Sequence, residues 1–116
     1  MKRTLTITID GDWESDLRQA AKQATKGGYQ GERLGFATPG LFFGKLTERR
    51  WELVRALQKD GIAGVRELAR RVERDVRRVH DDVGVLLELG LIEKDQQGKL
   101  VCPYADIHVD MHLKAA

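Results

Sequence analysis

Hydrophobic and polar residues alternate strictly near the start of the chain. Over residues 4–9 the pattern places Leu5, Ile7 and Ile9 on one face, which predicts a strand with one buried side. Residues 33–37 are predicted as a second short strand that pairs with the first. Between the two, apolar residues recur at helical spacing, and they predict an amphipathic helix. Its apolar members are Trp13, Leu17, Ala20, Ala21 and Ala24.

The middle of the chain has the 3.6-residue period of an amphipathic helix three times in succession. The first helix begins after Thr47, a good N-cap, and closes at Gly61. The second covers residues 65–72, and the third covers residues 76–89, where Gly90 stops it. The positions predicted to face the core are Trp51, Val54, Leu57, Val65, Leu68, Ala69, Val72, Val76, Val79, Val83, Leu86 and Leu87.

A hairpin follows the third helix, because strand-like residues 91–94 and 99–102 flank a polar turn that contains Gly98. A last alternating run, residues 107–113, predicts one more strand. Three helices followed by a β-hairpin is the order of a winged helix-turn-helix.

We therefore predict an α+β fold: a winged helix-turn-helix, with three helices plus a β-hairpin wing, and an N-terminal strand–helix–strand extension. The predicted boundaries place the extension at residues 1–46, the DNA-binding domain at 47–104 and a C-terminal strand or tail at 105–116. The extension is either a dimer or partner interface, or it only packs on the helices.

The net charge of +2 hides an uneven distribution. Residues 66–78 contain six arginines and three acids, a net of +3, whereas residues 79–116 contain three lysines and seven acids, a net of −4. The positive stretch covers the predicted turn and the start of the third helix, where DNA phosphates would lie. All six cations are arginines, which favours bidentate contacts. The alternative is an ordinary solvated helix face.

The predicted partner is double-stranded operator DNA, with the helix at residues 76–89 in the major groove. Arg77 or Arg78 would contact guanine, while Asp81 would orient an arginine or accept from cytosine. Arg70 and Arg74 are better placed for phosphate. The full set of candidate DNA-binding residues is Arg66, Arg70, Arg74, Arg77, Arg78, His80, Asp81, Lys94 and Lys99.

Other classes of function have weaker support. The sequence has no phosphate-binding loop, dinucleotide fingerprint or nucleophile triad, so we expect neither an enzyme nor a cofactor. Alternating His108, Asp110 and His112 have a spacing that permits metal binding, but the polar face of a strand explains them more simply. The single cysteine, Cys102, is expected to be a small buried or half-buried residue. No apolar run approaches the roughly 20 residues of a membrane span, and no secretory signal is evident, so we expect a cytoplasmic protein.

Several short segments resemble a family of small predicted transcriptional regulators of bacteria and archaea. The resemblance is carried by residues 65–71, 79–83, 88–93, 103–104 and 107–110. The phrase from residues 36–39 to 46–47 is also similar to the family, and the region before residue 34 matches weakly. It covers about residues 34–113. Members of that family have winged helix-turn-helix domains and are proposed to be antitoxins. The resemblance therefore implies a cytoplasmic autorepressor, a homodimer, and a cognate toxin as partner.

A homodimer would place two recognition helices about 34 Å apart on a pseudo-palindromic operator. The alternative function is a winged-helix protein-interaction module, which neutralises or scaffolds a partner and has little affinity for DNA.

Overall fold

The computed structural model describes residues 2–9, 17–18, 21–22, 25, 27–29, 31–113 and 115. The chain divides into two compact units, residues 1–44 with 106–116, and residues 45–105. The elements are β1 (Arg3–Ile9), β2 (Glu32–Phe36), α1 (Pro39–Lys45), α2 (Glu48–Asp60), α3 (Val65–Val72), α4 (Val76–Leu89), β3 (Glu93–Lys94), β4 (Leu100–Val101) and β5 (Tyr104–Met111). The fold is α+β, and none of the described helices is long and apolar enough to cross a membrane.

The first unit is built on a three-stranded sheet with the order β2-β1-β5. β1 and β2 are parallel, with Ile7 opposite Leu34 and Ile9 opposite Phe36. The alternating pattern of β1 is confirmed, since Leu5, Ile7 and Ile9 are all buried. The divisions between units, at 44/45 and 105/106, lie beside the expected 46/47 and 104/105, and the C-terminal strand is grouped with the N-terminal segment.

A parallel pair needs a crossover connection, and the described part of that connection is partly helical. Leu17 and Ala21 are helical, which agrees with the spacing of apolar residues there. Both are nevertheless exposed, and Leu17 is 60% exposed. The other predicted members of the apolar face, Trp13, Ala20 and Ala24, lie outside the described residues.

Helix α1 follows β2 at Thr38, whose side-chain oxygen accepts the backbone N–H of Leu41 at 3.2 Å. Phe42 is the buried side chain of this helix and contacts Phe36 edge-on, with ring centroids 5.5 Å apart. Leu41 and Phe43 are more than half exposed, so only one side of α1 is packed.

The second unit has an apolar core that α2, α3 and α4 share with the hairpin. Thr47 caps α2 as predicted, since its side-chain oxygen accepts the backbone N–H of Arg50. The predicted burial of Val54, Leu57, Leu68, Ala69, Val79, Val83 and Leu86 is confirmed, and Leu53, Leu91, Ile92 and Leu100 are buried beside them.

Five predicted core positions differ from expectation, and two of them, Trp51 and Leu87, are only half-buried. Val65 and Val72, at the two ends of α3, are only half-buried. Val76, predicted to face the core, is 38% exposed. Val76 is the first residue of α4, at the end of the helix. The helical spacing that links it to Val79 is correct, but packing begins one turn later.

The hairpin of β3 and β4 is held by its turn. Asp95 accepts the backbone N–H groups of Gln97 and Lys99 on one carboxylate oxygen, each at 2.9 Å. Its own N–H donates to the carbonyl of Lys99 at 2.8 Å. On the other side of β4, Ala63 and Leu100 exchange two backbone hydrogen bonds, of 3.1 and 2.8 Å. These bonds fix the hairpin beside the start of α3.

Candidate nucleic-acid interface

The connection between α3 and α4 has only three residues, Glu73, Arg74 and Asp75. Glu73 takes the left-handed conformation with φ 55°, and its N–H donates to the carbonyl of Arg70 at 3.3 Å. The N–H of Arg74 donates to the carbonyl of Ala69 at 3.0 Å. This pair of bonds is a Schellman motif, which closes the C-terminus of a helix and reverses the chain. The turn therefore joins two helices with a fixed backbone.

An arginine anchors the loop before α3. Arg71 donates to the backbone carbonyl of Gly61 at 2.9 Å and lies 3.6 Å from a carboxylate oxygen of Glu67. Its side chain is mostly covered. Arg71 contributes to the positive charge of the segment, but its hydrogen-bonding groups are directed at the protein itself.

A carboxylate on α4 joins α2 to the turn. Arg50 Nε donates to Asp82 Oδ1 at 2.9 Å, and Arg74 Nη2 donates to Asp82 Oδ2 at 2.7 Å. Arg50 also donates to the carbonyl of Lys45 at 2.7 Å. Asp82 is 15% exposed and Arg74 is 10% exposed. These three side chains, called here the Asp82 cluster, fix α4 relative to α2 and to the Schellman turn.

The cluster keeps Asp82 ionised. Burial alone would raise the pKa of Asp82, but hydrogen bonds from Arg74 and Arg50, together with their positive charges, lower the pKa below its ordinary value. A carboxylate held by two guanidinium groups is a strong charge-assisted contact. Asp82 is thus a structural anion at all pH values near neutral.

Arg74 was expected to contact phosphate, and its position gives it a different role. Its guanidinium is nearly buried and is paired with Asp82. Its other amino group, Nη1, is buried and has no hydrogen-bond partner among the described residues. A buried donor without a partner costs about 1–3 kcal/mol. We therefore assign Arg74 to positioning the turn instead of to direct contact with DNA.

The outward face of α4 carries Arg77 and Asp81, two of the predicted base-contacting residues. Arg77, His80, Asp81 and Gly84 follow the i, i+3, i+4, i+7 spacing of one helix face, and all four are exposed. Asp81 and His80 are about three-quarters exposed, with a His80–Asp81 distance of 4.0 Å. Behind them Val79 and Val83 fix the helix in the core. The face is polar, accessible and rigidly supported.

An open depression of about 470 Å³ lies beside this face, at the start of α4. It is lined by Arg49, Glu73, Arg74, Asp75 and Arg78. Asp75 is the N-cap residue of α4, but its side chain makes no capping hydrogen bond. Arg49, on α2, was not among the predicted residues. It lies far from the arginine-rich stretch in sequence, so only the packing of α2 beside the turn brings it here.

The remaining candidate residues are on the surface of the same unit. Arg66 and Arg70 are exposed on α3, and Arg70 is 3.6 Å from Glu67 in a solvent-exposed pair. Lys94 and Lys99 are exposed on the hairpin, on either side of its turn. The structure thus places all of these cations where a ligand can reach them.

The residues considered for other chemistry have ordinary surroundings. The described residues include no group of three His, Cys, Asp or Glu side chains arranged to hold a metal ion. Cys102 is half-buried, as predicted, with its sulfur 3.6 Å from the carbonyl oxygen of Leu91. Burial, assisted by the negative charge of Glu93, raises the pKa of the Cys102 thiol.

In a comparison with family models, the HVO_A0114 family matches residues 45–109. The matched segment is more than half of the chain. The chain belongs to the HVO_A0114 family. The HVO_A0114 match begins at the first residue of the second unit and takes in the Asp82 cluster, the α4 face and the hairpin. No curated protein and no solved structure matches the chain.

Proposed function

We propose that this protein is a DNA-binding transcriptional regulator whose second unit is a winged helix-turn-helix. In this proposal α3 and α4 form the helix-turn-helix, α4 is the recognition helix, and the β3–β4 hairpin is the wing. The observation that carries the proposal is the exposed face of Arg77, His80, Asp81 and Gly84 on a helix fixed behind it by the core and the Asp82 cluster. A recognition helix needs both a polar exposed face and rigid support.

The residues divide into base contacts and phosphate contacts. Arg77 lies on the outward face and would bind guanine O6 and N7, while Asp81, one turn later, would orient Arg77 or accept from cytosine N4. Arg78 and Arg49 line the depression at the start of α4, where an anion would also meet uncapped backbone N–H groups. This division is physical: base contacts discriminate sequences, and phosphate contacts set affinity and register.

Substitution separates the two roles. The assay is fluorescence anisotropy with a labelled duplex from the region upstream of the protein's own coding sequence, beside a duplex of scrambled sequence. Arg77→Ala is expected to weaken the free energy of binding to the upstream duplex by about 1–3 kcal/mol, and to the scrambled duplex by much less. Arg49→Ala and Arg78→Ala are expected to weaken binding to both duplexes equally, since a phosphate contact does not depend on sequence.

Arg55→Ala is the matched control, because Arg55 is an exposed arginine on α2 that is about 120° away from Arg49 around the helix axis and lines a different depression. The Arg55→Ala variant should bind both duplexes with the same affinity as the wild type. Unchanged binding in all three test variants would contradict the proposal. Low affinity of the wild type for every duplex would favour the second function, a protein-interaction module.

We propose further that the regulator represses its own operon as an antitoxin, a proposal supported by the resemblance of residues 34–113 to predicted regulators of that kind. Co-expression with the product of the adjacent gene tests it. Relief of growth inhibition by this chain supports the proposal, and growth inhibition that persists despite stoichiometric expression contradicts it.

A further inference from the structure

The free edge of the first unit's sheet has the features of a pairing surface. In the order β2-β1-β5, the strand β5 has a described neighbour on one side only. It is eight residues long, against five for β2, and it contains neither lysine nor proline. Proteins usually block an open edge with lysines, prolines, bulges or short strands. The edge of β5 is therefore long, and on that side no other described strand pairs with it.

The apolar side chains of β5 and its continuation are also uncovered. Val109 is 40% exposed, Met111 is 41% exposed and Leu113 is 72% exposed. These positions alternate with the polar ones, so they share one face of the strand. Exposed apolar residues concentrated along one free edge are typical of an interaction surface. The apolar exposure alone does not name the partner.

The polar residues of β5, together with His112 just after its end, indicate the partner. Asp106, His108, Asp110 and His112 alternate acid and imidazole at every second position. We infer that β5 pairs with β5 of a second copy of this chain, antiparallel and related by a two-fold axis at Val109. In this register, Asp106 of each copy faces His112 of the other, and His108 faces Asp110. Directly opposed partners of this kind stabilise an antiparallel pair.

The charge pattern selects this register over its neighbours. A two-fold axis perpendicular to the sheet keeps even positions opposite even positions. Centring the pairing on His108 opposes Asp106 to Asp110, and centring it on Asp110 opposes His108 to His112. Like groups directly opposite each other are unfavourable. Centring on Ile107 or Met111 gives two Asp–His pairs, whereas centring on Val109 gives four and also opposes Ile107 to Met111.

The side chains concerned are accessible. His112 Nε2 is 2.9 Å from Asp110 Oδ1, and these side chains are 65% and 45% exposed. Imidazole and carboxylate already pair along the strand, and both still face solvent. The other sheet edge offers no such self-complementarity, because Glu32 of β2 is ion-paired with Arg3 at 2.6 Å. This inference does not rest on the proposed DNA binding, although a two-fold dimer would suit a pseudo-palindromic operator.

Charge reversal with complementation tests the partner. Light scattering after size exclusion should give about 26 kDa for the wild type, twice the 13.1 kDa of one chain. The double variant His108→Asp/His112→Asp opposes acid to acid, and Asp106→Lys/Asp110→Lys opposes lysine to imidazole, so each alone should run as a monomer. Mixed in equal amounts they restore opposite pairs throughout, and the dimer should return.

Recovery in the mixture also shows that both variants are folded. A monomeric wild type, two variants that remain dimeric, or a mixture that stays monomeric would each overturn the inference. All of these measurements are made without DNA, so their failure is distinct from a failure of the proposed function.

Disulfide trapping tests the register, in a Cys102→Ser background. Val109→Cys should form a disulfide-linked dimer under mild oxidation, because directly opposed residues have Cα atoms about 4.5–5.5 Å apart. Met111→Cys alone should not, since its two copies are offset by four residues, about 13 Å. A mixture of Ile107→Cys and Met111→Cys should cross-link. Cross-linking of Met111→Cys alone as fast as Val109→Cys would contradict the register.

Discussion

Replacing Asp82 by Asn removes the charge that joins α2, the turn and α4, while it keeps the size of the side chain. The wild-type carboxylate accepts from Arg50 at 2.9 Å and from Arg74 at 2.7 Å. Asn can accept on one oxygen only, and its amide nitrogen faces a guanidinium that also donates. The substitution therefore leaves two largely buried cations without their counter-ion.

The expected loss in the free energy of unfolding is about 3 kcal/mol. A hydrogen bond to a charged group contributes about 1.5–3 kcal/mol, and removing one member of a buried ion pair costs about 3–5 kcal/mol. The lower part of that range applies, because Asp82 keeps 15% exposure and the arginines gain some hydration. For a domain of this size, a loss of about 3 kcal/mol lowers Tm by about 10 °C.

Urea unfolding followed by circular dichroism measures the loss, and Asp81→Asn is the matched control. Asp81 is the next residue of the same helix, carries the same charge and is 76% exposed with no partner closer than 4.0 Å among the described residues. Its substitution should change stability by less than about 0.5 kcal/mol. Equal destabilisation by the two substitutions would refute the assignment of the Asp82 cluster as a structural element.

The effect also depends on pH in a defined direction. Arg74 and Arg50 outweigh the effect of burial and lower the folded-state pKa of Asp82 below its ordinary 3.8. The stability that the carboxylate contributes is therefore fully present above the unfolded-state pKa and is lost as pH falls through the folded-state value. The difference in the free energy of unfolding between the wild type and Asp82→Asn should be constant from pH 5 to 7 and shrink below about pH 4. A difference that grows on acidification would contradict this sign.

Three further changes have defined outcomes. Gly84→Ala should stabilise the fold by about 0.5–1 kcal/mol in urea unfolding, because the position is helical and an added Cβ has no heavy atom within 4 Å; destabilisation would show that the space is not open. Glu73→Gly should raise the free energy of unfolding by about 1 kcal/mol, since φ 55° strains any residue with a Cβ. A loss of stability would contradict the left-handed turn. Alkylation of Cys102 by iodoacetamide should be slower than that of free cysteine at neutral pH, and its rate should level off only at a pH above 9.0, because burial raises the pKa of the thiol above that ordinary value. A reaction at pH 7 as fast as that of free cysteine would exclude this.

The helical and strand periods predicted much of the fold because they depend on the nearest neighbours in sequence. Leu5, Ile7 and Ile9 are buried along β1, and Val79 and Val83 are buried along α4, as their spacing requires. Val76 shares that spacing but is exposed, because periodicity defines a face and does not say how far along it the packing extends.

The Asp82 cluster shows what local pattern reasoning leaves out. Asp82 is three residues after Val79 and four before Leu86, so helical spacing alone places it on the buried face of α4. A carboxylate on that face needs a cationic partner, because an unpaired buried charge is costly. The identity of that partner was not visible, since Arg50 is 32 positions away. The same limit explains Arg74: an arginine in a basic stretch looks like a phosphate ligand until an acid of the neighbouring helix is placed beside it.

The most direct test of the central claim, that α4 and its arginines bind duplex DNA, is the salt dependence of affinity for the upstream duplex. Each phosphate contact releases condensed counter-ions and contributes about −0.9 to the slope of log K against log salt. Contacts from Arg49, Arg66, Arg70 and Arg78 predict a slope of about −4 for each protomer, and Arg78→Ala should make it about 0.9 shallower. A slope near zero, or one that Arg78→Ala leaves unchanged, would contradict the account.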